Sequence, residues 1–445
     1  MTRVLALDVG SSSVRAQIVD ERAEPVGEAR QLRYGGSDPD QIVRLVREAI
    51  GGMDAVVDAV GASCFGHSLL ALDEDGKPLT RVLGWRETRS ADAADWLLRR
   101  LDGDAVQART GCHIHTSFWP AKLAWLAEAE PEMFRRTRHF VSFADYLYAE
   151  LHGCRPTSTL SLASGTGLLD LAHGAWDEEL LAVLELDAER LPEISEEPVA
   201  GWFPAWLDGA CANIGAGCVG RGRAALTVGT SAALRILYET ERPQPRRGLF
   251  LYRLDERRVV EGGSLSDGGN LYAWLNDTLK DSSGSLVERD PDSHGLTFLT
   301  LLGGERSPGW NPSATGVIAG LTFETTPLDL RQAALEGIAF RFAEIVDLLP
   351  SVEHVVATGG ALLADPDWLQ IMADCLARPV TVSGVKEASL RGAAVLALER
   401  LGETAPDAPV DRVFHTRMER AEAYRSARDR QRELYEATRR EQESP

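Results

Sequence analysis

Two short stretches half a chain apart repeat one another. Leu7-Asp8-Val9-Gly10-Ser11-Ser12, laid over Leu226-Thr227-Val228-Gly229-Thr230-Ser231, matches at Leu7/Leu226, Val9/Val228, Gly10/Gly229 and Ser12/Ser231, each pair 219 residues apart. Each stretch is an apolar strand that stops at glycine and hydroxyl residues. After the first, apolar residues resume at Val14, Ala16, Ile18 and Val19, the mark of strand, tight turn, strand. At 445 residues the chain exceeds one ordinary core. An echo at half that length therefore predicts two copies of one domain, residues 1–220 and 221–445. Turns in general favour Gly and Ser, so four identities alone leave coincidence open. One asymmetry argues against coincidence, because Asp8 in the first copy is Thr227 in the second. A carboxylate entering an anion-binding turn repels its ligand unless a cation lies between, and Mg²⁺ binds through one or two carboxylates plus phosphate oxygens. Asp8 is accordingly the candidate metal residue.

A strand ending in Gly and hydroxyls offers backbone N–H groups and side-chain donors to an oxyanion, the material of a phosphate site. Gly10, Ser11, Ser12, Ser13 and the following Arg15 form one candidate cradle, and Gly229, Thr230 and Ser231 another. A third strand-to-glycine turn is Gly359-Gly360-Ala361 after Val355 to Thr358, where paired glycines let backbone approach a ligand closely. The Gly/Ser loop from Gly262 to Asn270 adds Gly268. Asp208, followed by Gly209, heads the small-residue run Ala210, Cys211, Ala212, Ile214, which reads as a close-packed helix with an acid at its N-terminus. Asp208 is the candidate general base.

Gln41 to Ile50 reads as an amphipathic helix and Ala55 to Ser63 as a buried strand, which puts Gly66 and His67 at a strand end, where α/β sheets meet ligands. The ordinary role of a lone His is structural. Trp85-Arg86-Glu87-Thr88-Arg89 reads either as a solvated helix start or as substrate contacts. Cys112, His113 and His115 invite a metal reading that lacks a second ligand cluster. Lys122 lies in a helix entered through Pro120 and is its one residue able to reach a ligand. The tail from Arg417, charged and poor in large apolar residues, reads as a surface helix.

A net charge of −20 argues against non-specific attachment to nucleic acid or an anionic membrane. Six scattered cysteines with no CxxC spacing fit a reducing cytoplasm. With no apolar run of about 20 residues, a membrane span is not expected.

Three strand-to-glycine turns plus an isolated carboxylate fit phosphoryl transfer from a nucleotide to a small hydroxyl. In this the chain resembles the FGGY family of carbohydrate kinases, within the actin/hexokinase superfamily of paired ribonuclease-H-like domains. The resemblance is carried in order by Asp8 to Ser13, Asp208 ahead of Gly215, Gly229 to Ser231, Gly304 to Trp310, Gly320-Leu321-Thr322, Ala334 to Gly337, Gly359 to Ala361 and Glu387 to Ala394. It implies an α/β fold of two such domains with a cleft between them, the first binding sugar and the second nucleotide. It also implies ATP and Mg²⁺ as cofactors, Asp208 as catalytic base, and at most a second copy of the chain as protein partner. The sequence departs from the family where Trp-x-Asp-x-Arg becomes Trp85 to Arg89 with Glu87 as the acid, where Thr-Asp becomes Thr157-Ser158, and where Trp202 and Trp206 replace common glycines near Asp208.

Within the family, Gly66 to Leu70, Phe118 to Lys122 and Asp208 to Asn213 are most similar to gluconokinase-like members, with xylulokinase-like members the alternative. A sugar acid would suit Arg86 or Lys122 as carboxylate clamp, and the substrate contacts expected are Gly66, His67, Trp85, Arg86, Glu87, Lys122, Asp208 and Gly209. A sensor that keeps the fold without catalysis is the reading from another class, and it would be favoured by loss of Asp8 or Asp208, both of which are present.

Overall fold

The computed structural model describes residues 2–53, 56–280 and 284–443. Two compact units divide it. Residues 1–219, 237–261 and 387–408 form the first, and 220–236, 262–386 and 409–445 the second. The changeover expected near 220 is the first crossing, after which the chain returns twice to the first unit.

In the first unit, Val4–Val9 (β1), Ser13–Val19 (β2) and Pro25–Arg33 (β3) form an antiparallel meander. Ala59–Cys64 (β4) and Trp206–Leu207 (β5) extend it in parallel, giving the order β5-β4-β1-β2-β3. β1 and β4 are buried along their whole length, which is why both read as apolar runs without alternation. The sequence expectation began β4 at Ala55, which lies outside the described residues. The expected amphipathic helix is Pro39–Gly51, started by Pro39 and capped by the Asp38 carboxylate.

The second unit repeats this plan. Gly220–Val228 (β6) neighbours Ala232–Glu239 (β7) across the turn 229–231, and on its other side pairs in parallel with His354–Thr358 (β8). Val380–Ser383 (β9) continues in parallel and Val410–Phe414 (β10) closes the edge antiparallel.

Asp208–Gly215 (α1) and Ala388–Arg400 (α2), both in the first unit, touch backbone to backbone. A Cβ added at Gly215 would lie 1.8 Å from the Ala388 carbonyl oxygen, one at Gly392 1.8 Å from that of Cys211, and one on Gly61 of β4 2.4 Å from that of Ala393. The small-residue run after Asp208 is thus a packing requirement. The final helix, Ala421–Glu443 (α3), corrects the surface reading of the tail. Its Tyr424, Ala427 and Gln431 are buried, Gln431 donates to the carbonyls of Phe298 (2.7 Å) and Gly337 (3.2 Å), and Tyr435 donates to Glu305 (2.6 Å). Sparse apolar residues concealed a face fixed by polar anchors.

Candidate active site

β1, β4 and β5 run parallel, so their C-terminal ends open on one side of the sheet. Asp8 is opposite Ser63, Ser63 is opposite Trp206, and the next row is Val9, Cys64 and Leu207. One step beyond lie Gly10, Phe65 and Asp208. Asp8 and Asp208 therefore flank β4, two strand spacings or about 10 Å apart laterally. The Cys64 thiol, at the end of β4, registers the convergence. Burial pushes it well up, and the charges of Asp208, Asp8 and Asp145 push it further. Cys211, on α1, is raised by burial and then by Asp8 and Asp208.

Asp8 is buried, with one oxygen accepting from Ser63 Oγ (2.9 Å) and the other from Arg15 Nη1 (2.9 Å). Burial raises its carboxyl above the usual range, an effect that Arg15 and Ser63 oppose. The turn beyond it is closed by Gly10 N–H donating to Ser13 carbonyl (2.9 Å), and Tyr34 donates both to Gly10 (its hydroxyl, 2.5 Å) and to Ser12 (its N–H, 3.0 Å). Ser11 and Ser12 are exposed, whereas Ser13 is buried in β2, so Ser13 serves the turn through its backbone rather than offering a hydroxyl. Asp208 is the first helical residue of α1. The cap position itself belongs to Leu207, and Asp208 Oδ1 accepts from Gly209 N–H (2.7 Å).

His67 follows β4 with a positive φ of 61°. Its Nδ1 lies 2.5 Å from the Gly165 carbonyl, which makes that nitrogen the donor, and its ring meets Phe118 edge-on and Tyr252 at a tilt. A Cβ at Gly66 would stand 2.7 Å from Leu207 Cδ2, so a larger residue there would make that side chain shift. Lys122 corrects the expectation of a ligand-reaching cation. It is fully buried, and its ammonium donates to the carbonyls of His67 (2.6 Å), Ser117 (2.9 Å) and Leu83 (3.4 Å). The cation ties the segments carrying His67, Trp85 and Ser117 together, helped by Ser117 Oγ donating to the Trp85 carbonyl (3.2 Å). Glu87 is gripped by Arg89 through Nε (2.8 Å), Nη2 (2.5 Å) and backbone N–H (2.9 Å), and that hydrogen bonding holds its carboxyl below the usual range. Arg86 is exposed and stacks its guanidinium over Trp85 at 4.8 Å, and no carboxylate among the described residues forms an ion pair with it.

In the second unit the three glycine turns named from sequence come together. Gly269 N–H donates to the Gly229 carbonyl (2.8 Å) and Asn270 N–H to that of Thr230 (3.0 Å). A Cβ at Gly268 would stand 2.8 Å from the Ser231 carbonyl carbon, one at Gly269 2.9 Å from the Cβ of Ala361, and one at Gly359 2.4 Å from the Val228 oxygen. Gly360 faces open space, with nothing within 4 Å. Gly229 and Thr230 are exposed and Ser231 half-buried, so a bare backbone cradle with hydroxyls is left for an anionic, flat-faced ligand.

His113 and His115 lie in packed surroundings. His115 Nδ1 accepts from Ser117 N–H (3.1 Å), burial pulls His113 down to about 4, and no group of three His, Cys, Asp or Glu among the described residues could hold a metal ion. Three participants escaped the sequence reading. Ser63 could have been found as the polar residue that interrupts an apolar strand at its functional end. Asp145 is buried with its carboxyl pushed up to about 7 by burial, and Ser142-x-x-Asp145 is a capping-box pattern, realised here on both sides. Glu387 was noticed only as part of a motif.

Comparison with known proteins places two family models on the chain: the N-terminal domain of the FGGY family of carbohydrate kinases over residues 3–199, and its C-terminal domain over 224–399. A gluconokinase of Bacillus licheniformis is 28% identical over 452 residues, covering 90% of this chain and 88% of its own. A glycerol kinase of Alkalilimnicola ehrlichii is 30% identical over 454 residues, covering 90% and 91%. Among solved structures, a ligand-bound xylulose kinase from Lactobacillus acidophilus superposes with a TM-score of 0.89 at 24% identity, covering 98% of each chain, a likeness of fold.

Proposed function

The chain belongs to the FGGY family of carbohydrate kinases and is by that membership an ATP-dependent phosphotransferase of that two-domain α/β fold; from this premise we propose that its acceptor is a sugar acid, D-gluconate ahead of any neutral ketose. The observation carrying the acid is Arg86. With Glu87 committed to Arg89 and Lys122 to backbone carbonyls, Arg86 is the cation of the expected pair still turned outward. A carboxylate held by an arginine fork gains charge-assisted hydrogen bonds worth roughly 1.5–3 kcal/mol each, enough for tenfold preference over the neutral sugar. The likeness to a gluconokinase supports the same acceptor.

On this reading Asp208 takes the proton from the attacking hydroxyl, general-base work that typically contributes 10²–10⁴-fold. Its seat in the first turn of α1, at the open ends of β4 and β5, gives it both access and a rigid support. Gly10 to Ser12 offer backbone and hydroxyl donors to phosphate oxygens, and the cradle of Gly229 to Ser231, Gly268 and Gly359 to Ala361 is proposed for the nucleotide. The donor set fits Mg²⁺ held by one carboxylate, because Asp8 is a buried acid beside a phosphate-type turn, and phosphate oxygens and water would complete the shell. Mg²⁺ bound there would neutralise charge developing on the transferred group. A reducing cytoplasm suits cysteines that form no disulfide. Among the described residues no helix is long and apolar enough to cross a membrane.

A coupled ADP-release screen over gluconate, xylulose, ribulose, glycerol, fuculose and rhamnulose tests the proposal. Gluconate is expected to lead in kcat/KM. A neutral acceptor in the lead would overturn the acid clamp, and no turnover of any acceptor would return weight to a catalytically silent sensor.

A further inference from the structure

Both oxygens of Asp8 are occupied, one by Ser63 and one by Arg15. Each oxygen keeps a second lone pair, but a divalent cation brought to Asp8 is repelled by the Arg15 guanidinium already bonded to it, so its approach favours loss of a partner. Ser63 is completely buried on the central strand β4 in fixed register, so it is the partner that stays. Arg15 keeps 24% of its side chain exposed, so it is the partner that can move. Its destination is already in place. Glu387 Oε2 lies 3.2 Å from Arg15 Nε, yet that N–H is buried and makes no hydrogen bond. The contact is an ion pair with its hydrogen bond unformed, and a small rotation of the guanidinium away from Asp8 would complete it.

The placement of Glu387 is unusual for its position. It is the N-cap residue of α2, but its side chain makes no capping bond and turns to Arg15 instead. Glutamate is not among the preferred caps, so helix stability does not account for it. α2 itself cannot yield, since Gly392 meets the Cys211 backbone and Gly61 meets that of Ala393. In the same first turn Ser389 Oγ donates to the Asp208 carbonyl (3.4 Å). One rigid helix end therefore adjoins the partner of Asp8 and the backbone of Asp208.

We propose that Glu387 is a positioning residue that draws Arg15 off Asp8, freeing an Asp8 oxygen for the cation and holding Arg15 beside the Gly10 turn, where it can meet a phosphate. The inference rests on the reading of Asp8 as the metal-facing carboxylate. It assigns Glu387 no contact with substrate.

The test is calorimetric titration of Mg²⁺ into the full chain with ADP, alongside ADP binding in EDTA and thermal unfolding. Glu387→Gln should weaken Mg²⁺ binding about fivefold, the scale of a partly exposed ion pair. ADP binding in EDTA and Tm should stay near wild type, and Glu387→Asp should recover part of the loss. In an Arg15→Lys background, which lacks the fork, Glu387→Gln should add little. Unchanged Mg²⁺ binding in Glu387→Gln, or an equal loss in the Arg15→Lys background, overturns the proposal. Asp8→Asn, titrated in parallel, separates the premise: if it too leaves Mg²⁺ binding unaltered, the reading of Asp8 fails first.

Discussion

The hydroxyl of Thr227 lies 2.9 Å from that of Thr358, at the same register position where the first unit sets Asp8 against Ser63. The likeness extends to a third member, since Arg235 Nη2 donates to Thr227 (3.1 Å) as Arg15 does to Asp8. Each unit thus has a strand end, a hydroxyl on its parallel neighbour and an arginine from the strand that follows. Only the first keeps an acid there. Two hydroxyls and an arginine can face phosphate without repulsion, whereas a buried carboxylate calls for a cation.

Replacing that acid should separate activity from stability. Burial raises the Asp8 pKa in the folded chain, so the folded state holds its proton to higher pH than the unfolded state and the ionised acid costs stability near neutrality. Asp8→Asn is expected to lower turnover by about 10²-fold or more while leaving Tm at pH 8 equal or higher. Asp208→Asn should lower turnover by about 10²–10⁴-fold with ADP affinity retained. Steady-state kinetics with differential scanning fluorimetry checks both, and a lower Tm for Asp8→Asn at pH 8 would contradict the raised pKa of Asp8.

Arg86 and Lys122 should fail in different ways. Arg86→Gln removes an exposed fork and is expected to raise KM for gluconate about tenfold with Tm unchanged. Lys122→Met takes the ammonium from the His67 and Ser117 carbonyls, each loss costing about 1–3 kcal/mol, while the Leu83 carbonyl keeps Leu69 N–H (3.0 Å), and should lower Tm by several degrees whatever the acceptor. A Lys122→Met protein that keeps its Tm but loses only gluconate affinity would restore Lys122 to the clamp.

Asp267 supplies a pH dependence. It is buried beside Gly268, accepts from Gly303 N–H (3.2 Å), and burial pushes its carboxyl up to about 7. The folded chain thus retains a proton that the unfolded chain releases near the ordinary carboxyl pKa of about 4. Stability from this group is full below about pH 4, falls as pH rises, and is exhausted above about 7. Asp267→Asn should therefore raise Tm at pH 8, and the gain should shrink towards pH 5. A gain constant with pH would mean the carboxyl is not the cause.

The repeat, both acids and the glycine turns were legible because each is local: a strand stopping at Gly-Ser carries its chemistry in consecutive residues. Lys122 was misread because nothing nearby in sequence reveals that its ammonium would meet the carbonyls of residues 67 and 83. Glu87 likewise has arginines on both sides, at 86 and 89, and only the fold chooses Arg89. The return of 387–408 to the first unit was hidden for the same reason, since an apolar helix does not state which sheet it covers.

That return constrains how the protein comes into being. β4 waits for a helix encoded more than 300 residues later, because Gly61 is shaped to receive the backbone of Ala393. A nascent chain emerging from the ribosome carries the first sheet without its α2 cover until almost the last tenth of the message is read. Cutting the chain at residue 220 would consequently release an aggregation-prone fragment with the α2 side of β1 and β4 uncovered, and chaperones would have to shelter that surface for most of synthesis.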